Sequence, residues 1–116
     1  MPEQKSFRDQ ITSELARAAE SRKQGNEGRA RVCARRAVGI AIVSYYASRN
    51  LILQESDFMF AVKKFRDDIS IPLHIRQMAA RLSERITSDF QYASPTDPLT
   101  DAQLIIDYVM EERKQS

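Results

Sequence analysis

Apolar residues recur along this chain at intervals of three and four, the spacing that lines one face of an α-helix. Phe7, Ile11, Leu15, Ala18 and Ala19 form the first stripe. Ser6 precedes it as an N-cap and Gly25 follows it as a stop, which predicts a helix over about residues 6–24. The connection Gly25-Asn26-Glu27-Gly28 is short, so the next helix is expected as an antiparallel neighbour. That second helix, over about residues 27–50, differs in kind. From Ala37 to Ala47 it is apolar nearly all the way round, through Val38, Ile40, Ala41, Ile42, Val43, Tyr45 and Tyr46. A helix without a polar face is buried on every side. It is therefore the expected centre of the fold, with part of its surface left for a second subunit. Gly39 in its middle costs roughly 1 kcal/mol relative to Ala, so a close packing contact is expected there.

The pattern continues after a short connection. Ser56 is placed to cap a third helix, with Phe58, Val62, Phe65 and Ile69 as its stripe. Ser70 is placed to cap a fourth, with Pro72 in its first turn. Ile71, Ile75, Met78, Ala79, Leu82, Ile86 and Phe90 then mark one face over five turns. Ser94-Pro95-Thr96-Asp97-Pro98 reads as a loop. Thr100 and Gln103 have the spacing of a capping box, opening a last helix that buries Leu104, Ile105, Tyr108 and Val109. No strand pattern interrupts these stripes. The expected fold is all-α: one domain over residues 1–116, an antiparallel bundle of four major helices plus one short helix.

Composition agrees with that reading. A chain of 116 residues is one domain in length. With 42% hydrophobic and 29% charged residues it is not a disordered sequence. Three glycines and four prolines are few for a turn-rich β fold. The longest apolar stretch is far short of the ~20 residues of a membrane span, and no apolar leader segment opens the chain. Cys33 is the lone cysteine and suits a reducing compartment, so a cytoplasmic protein without membrane contact is expected.

Charge changes the picture through its distribution. The net charge is only +2. Yet Arg22, Lys23, Arg29, Arg31, Arg35 and Arg36 gather against one acid, Glu27, while Asp97, Asp101, Asp107, Glu111 and Glu112 gather towards the end. Such an asymmetry serves packing within the fold or across a dimer, or it binds an external anion. Arg81 and Arg85, one helical turn apart, line up with His74 and Met78. The guanidinium fork suits phosphate oxygens, so Arg29, Arg31, Arg35, Arg36, Arg81 and Arg85 are the candidate anion- or RNA-binding residues. Tyr92 at the end of the fourth helix is placed to stack on a base. His74 is the single histidine and is expected as a solvated residue at a helix start, since a metal site needs more ligands. Cys33 lies in an Ala-rich stretch and is expected as core. No Gly-rich phosphate loop and no Ser/His/Asp spacing is present. No catalytic residue, metal ligand or cofactor is assigned.

The segment Arg29-Ala30-Arg31-Val32-Cys33-Ala34-Arg35-Arg36-Ala37, preceded by Ala16, Ala18, Ala19 and Gly25, resembles the small-residue, arginine-containing second helix of the HEPN superfamily. Arg81-Leu82-Ser83-Glu84-Arg85 through Tyr92, then Pro95 and Asp101-Ala102, is similar to that family's final two helices. The resemblance implies a small helical bundle of the kind found beside minimal nucleotidyltransferases and in toxin–antitoxin pairs. Ribonuclease members carry an Arg followed four to six residues later by His. Here Arg85 is followed by Ile86-Thr87-Ser88-Asp89-Phe90-Gln91-Tyr92, with no His. The resemblance is therefore to a non-catalytic member: an interaction module, expected as a homodimer, that meets a nucleotidyltransferase-like protein or presents a nucleotide or RNA to it. An RNA-binding or RNA-cleaving protein using the arginine edge, and a purely structural dimer, are the other two readings. A weaker likeness to tetratricopeptide helix pairs rests on the Ala-rich first helix and Gly25-Asn26, and the pattern does not recur.

Overall fold

The structure is a computed structural model, and it describes residues 6–53, 58–84 and 97–114. Five helices make it up: α1 (Phe7–Lys23), α2 (Glu27–Ala47), α3 (Phe58–Arg66), α4 (Leu73–Ser83) and α5 (Pro98–Lys114). No strand occurs among the described residues. The all-α expectation therefore stands.

Local chemistry sets the ends of the first two helices. Ser6 accepts the Asp9 amide at 3.1 Å and caps α1, and Asn26 accepts the Arg29 amide at 3.0 Å and caps α2. Each cap satisfies one of the amides that a helix start leaves unpaired. Both helices end alike. The Asn26 amide reaches back to Ser21 and the Gly25 amide to Arg22, with Gly25 at φ 80°. At the end of α2, Leu51 reaches Tyr46 and Asn50 reaches Ala47, with Asn50 at φ 66°. These paired reverse bonds are Schellman closures, and each needs a left-handed residue, supplied by Gly once and by Asn once. The second helix thus stops at Ala47 rather than at Asn50.

Three expected boundaries are corrected. Ser70 does not cap α4: its amide and hydroxyl both donate to Asp68 Oδ1, at 3.0 and 2.6 Å, in the turn between α3 and α4. Helix α4 instead starts after Pro72 with no side-chain cap, and it stops at Ser83, where Glu84 is extended. Its expected five turns are therefore not continuous, and Ser56, Arg85, Ile86, Phe90, Tyr92, Ser94, Pro95 and Thr96 lie outside the described residues. The capping box at Thr100 and Gln103 is also displaced. Helix α5 begins three residues earlier than Asp101, and Asp97 accepts both the amide and the hydroxyl of Thr100 at 3.0 Å. Gln103 turns outward to Asp107.

The core is centred on α2, which packs against every other helix. Ala30, Ala34, Ala37, Val38, Ala41 and Ile42 are fully buried. Phe65 from α3, Leu82 from α4, and Ile105 and Val109 from α5 close around them. The apolar circumference of α2 is thus largely covered within one chain, and Ile40 and Val43 are left half-buried. Tyr45 and Tyr46 belong to this core. They meet edge to face at 5.2 Å, and Tyr45 meets Phe65 in the same way at 6.1 Å, a geometry that aromatic quadrupoles favour. The Tyr46 hydroxyl donates to Asp68 at 2.7 Å. Cys33 is buried in the core as expected. Ala19, Ile69 and Leu104, expected inside, are exposed.

Gly39 has the packing role its position implied. A methyl group built on it would come within 2.4 Å of Phe58 Cβ. Helix α3 therefore starts with Phe58 laid directly against the α2 backbone.

Candidate functional site

Four of the six candidate arginines sit on α2 and one on α4. Arg31 and Arg35 are one turn apart on α2 and point at the end of α4. Arg31 is 5% exposed. Its Nη2 donates to the Arg81 carbonyl at 3.2 Å and to the Glu84 carbonyl. Arg35 Nε donates to the Leu82 carbonyl at 2.9 Å. Within the same stretch, Ser83 Oγ donates to the Ala80 carbonyl at 2.8 Å. A helix leaves its last carbonyls unpaired and carries partial negative charge there. Two guanidinium groups satisfy both needs at the end of α4.

Arg81 reaches the other way. Its Nε and Nη2 form a two-pronged bond with the Asp101 carboxylate, both at 2.9 Å, and Asp101 is 3% exposed. This ties α4 to the first turn of α5. The result is a three-helix junction in which Arg31, Arg35 and Arg81 hold backbone and carboxylate of their own chain. The sequence offered these arginines as anion- or RNA-binding candidates from two separate stretches and left open whether they converge. The fold brings Arg31, Arg35 and Arg81 to one junction, and their described partners belong to the chain itself.

The charge asymmetry is also matched inside the fold. Arg22 forks onto Glu27 at 2.8 and 3.0 Å and reaches Asp97 at 2.6 Å. Arg49 lies 3.8 Å from Glu112 and 4.1 Å over the Tyr45 ring. With Arg81–Asp101, three of the acids near the end of the chain are thus answered by arginines elsewhere. The Arg22 bond holds the Asp97 carboxyl below its usual range, burial opposes it, and the Thr100 bonds assist. Burial alone would push the Asp68 carboxyl up. Bonds from Ser70 and Tyr46 outweigh it and leave Asp68 below its usual range.

Arg29 and Arg36 are exposed on α2, apart from the junction. Arg85 lies outside the described residues. His74 is exposed at the start of α4, and Met78 is half-buried. Among the described residues no three His, Cys, Asp or Glu side chains gather where they could hold a metal ion. Nor is any helix among them long and apolar enough to cross a membrane.

Two surface features were not anticipated. One is the outer face of α3 and the turn after it. Tyr46, Leu51, Phe60, Lys63, Lys64 and Ile69 line a groove there of about 790 Å³. Phe60 is 54% exposed and Ile69 is 88% exposed, with Ile52 nearby in sequence at 80%. Lys64 lies 5.6 Å over the Tyr46 ring. Arg66 and Asp67 pair with each other through two bonds, at 2.9 and 3.0 Å, and Lys64 acts on the Asp68 carboxylate that also lines the groove, while Lys63 is exposed. The second feature is a groove between α1 and α2. It has two lobes of about 420 and 460 Å³ that share Gln10, Ile40 and Phe58 as walls. The half-buried Ile40 was a sequence signal for it, being part of an apolar circumference that no single neighbour could cover.

No family model, no curated protein and no solved structure matches the chain.

Proposed function

We propose that the chain is a non-catalytic helical interaction module that meets a protein partner through the outer face of α3. One observation carries this reading. The arginines that could have formed an anion site at the end of α4 are engaged with the chain's own carbonyls and Asp101, while Phe60 and Ile69 stand out to solvent beside Lys63 and Lys64. Single exposed apolar residues are ordinary, but several around one concave, charge-rimmed surface are the mark of a protein contact.

The finer features belong to the same proposal. A HEPN-like antiparallel arrangement supplies a partner class, a nucleotidyltransferase-like protein to which the module presents a nucleotide or RNA. A homodimer would compete with that partner for the α3 face, since α2 is largely covered within the chain. The lone Cys33 fits a reducing cytoplasm.

Affinity capture from native lysate at low salt, with wild type and Ile69→Glu in parallel, tests this reading. A stoichiometric protein retained by wild type and lost with Ile69→Glu supports it. Nuclease-sensitive RNA lost on Arg29→Glu or Arg36→Glu would transfer the function to the exposed arginines. Identical captures from wild type and Ile69→Glu would remove the α3 face from consideration.

A further inference from the structure

We infer that the groove between α1 and α2 is a binding site for a single-chain amphiphile with a carboxylate head, of the medium-chain fatty-acid class. This site is separate from the α3 face and does not rest on the protein-contact reading.

The groove is built by two helical stripes. Phe7, Gln10, Glu14 and Arg17 follow one another along α1, and Arg36, Ile40, Val43 and Ala47 along α2. The stripes cover eleven and twelve residues, about 17 Å of helix each. The lobe lined by Phe7, Val43 and Ala47, with Ser44 and Ser48 beside them, is the more apolar one, at about 420 Å³, within the range of small-molecule pockets. Its apolar side chains belong to the helix surfaces that the core leaves half-buried.

The other lobe is polar. Ser13, Glu14, Arg17 and Arg36 line it. Among the described residues, four charged side chains border the two lobes together: Arg17, Arg36, Arg113 and Glu14. Arg17 holds Glu14 at 3.3 Å, and Arg113 lies over the Phe7 ring at 4.2 Å. Arg17 is thus answered by Glu14, which leaves Arg36 as the cation of the second lobe, beside the apolar floor of the first. A neutral oil would use the floor and ignore the arginines. An acid with a short apolar chain uses both, its chain in the first lobe and its carboxylate at Arg36 in the second.

Shape narrows the occupant further. Phe58 is a wall of both lobes, held there by its contact with Gly39. It interrupts the straight path that a helix some 10 Å wide would need. A thin flexible chain passes around it.

The test is amide chemical-shift titration of the full chain with decanoate below its micelle concentration, with decanol as the uncharged control. Decanoate should shift amides of residues 7–17 and 36–48. Arg36 is exposed, so Arg36→Glu should leave the melting temperature unchanged, while weakening decanoate about tenfold and sparing decanol. Equal binding of decanol and decanoate, or no effect of Arg36→Glu, would overturn the proposal. So would shifts confined to other helices. Binding to anionic phospholipid vesicles without binding of monomeric decanoate would overturn it too, and would make the face a membrane contact.

Discussion

Asp101 is a carboxylate almost wholly removed from water, held by both prongs of Arg81. Removing one member of a buried pair leaves the other charge uncompensated. Asp101→Ala should therefore cost about 3 kcal/mol or more in denaturant unfolding. Asp97 is more exposed and works by a different route, as the cap of α5 and the partner of Arg22. Asp97→Ala should cost about 1 kcal/mol near neutral pH. Because the folded carboxyl is held below its ordinary range, its contribution is complete above the unfolded value. It fades as pH falls through the folded one. The gap between wild type and Asp97→Ala should accordingly narrow in acid, and unfolding curves at pH 7 and pH 3 would show it. An unchanged gap would mean that Asp97 acts only through space-filling.

Helices show where sequence sufficed and where it did not. Ser6 and Gly25 were legible because a cap and a left-handed stop act within five residues of chain. Ser70 and Thr100 had the correct spacing and were outcompeted. In each case an aspartate two or three residues earlier, Asp68 or Asp97, is the stronger acceptor and takes the serine or threonine hydroxyl as well as its amide. Ile69 continued the period of α3 past the point where the helix had ended, so the stripe misplaced it. The arginines were legible as candidates, but neither their convergence nor their partners were, because the junction joins stretches some fifty residues apart in sequence. The Gly39 contact was legible as a need without a partner. Gly39→Ala gains roughly 1 kcal/mol of helix propensity. It also forces Phe58 Cβ from a 2.4 Å approach, and overpacking of that kind costs about 1–3 kcal/mol. Net loss of stability is expected, and it should shrink in Gly39→Ala with Phe58→Gly, which removes that Cβ. Additive losses in the double variant would place the strain elsewhere.

At the scale of the molecule, the charges split between two tasks. Arginines at positions 22, 31, 35, 49 and 81 face inward partners, while Arg29, Arg36 and Lys63 face outward. Substituting the first group should lower stability with little change in surface binding. Substituting the second should do the reverse. Arg31→Ala removes charge-assisted bonds to two carbonyls and should cost about 2 kcal/mol, whereas Lys63→Glu should stay within about 0.5 kcal/mol of wild type. Thermal melts of both variants at one ionic strength decide this. A wild-type melt for Arg31→Ala would mean that the end of α4 is satisfied by water instead.

Helix α1 leans almost entirely on α2 and only lightly on α5. The other helices close on one another as well as on α2. Lifting α1 away from its neighbour, hinged at Gly25, breaks one extended interface and leaves the rest of the fold standing. Amides of α1 should exchange with deuterium earlier than those in the middle of α2. Each such excursion bares Ile40 and Val43 for a moment. Anything seated across the seam between the two helices acts as a clasp and should slow exchange in α1 first.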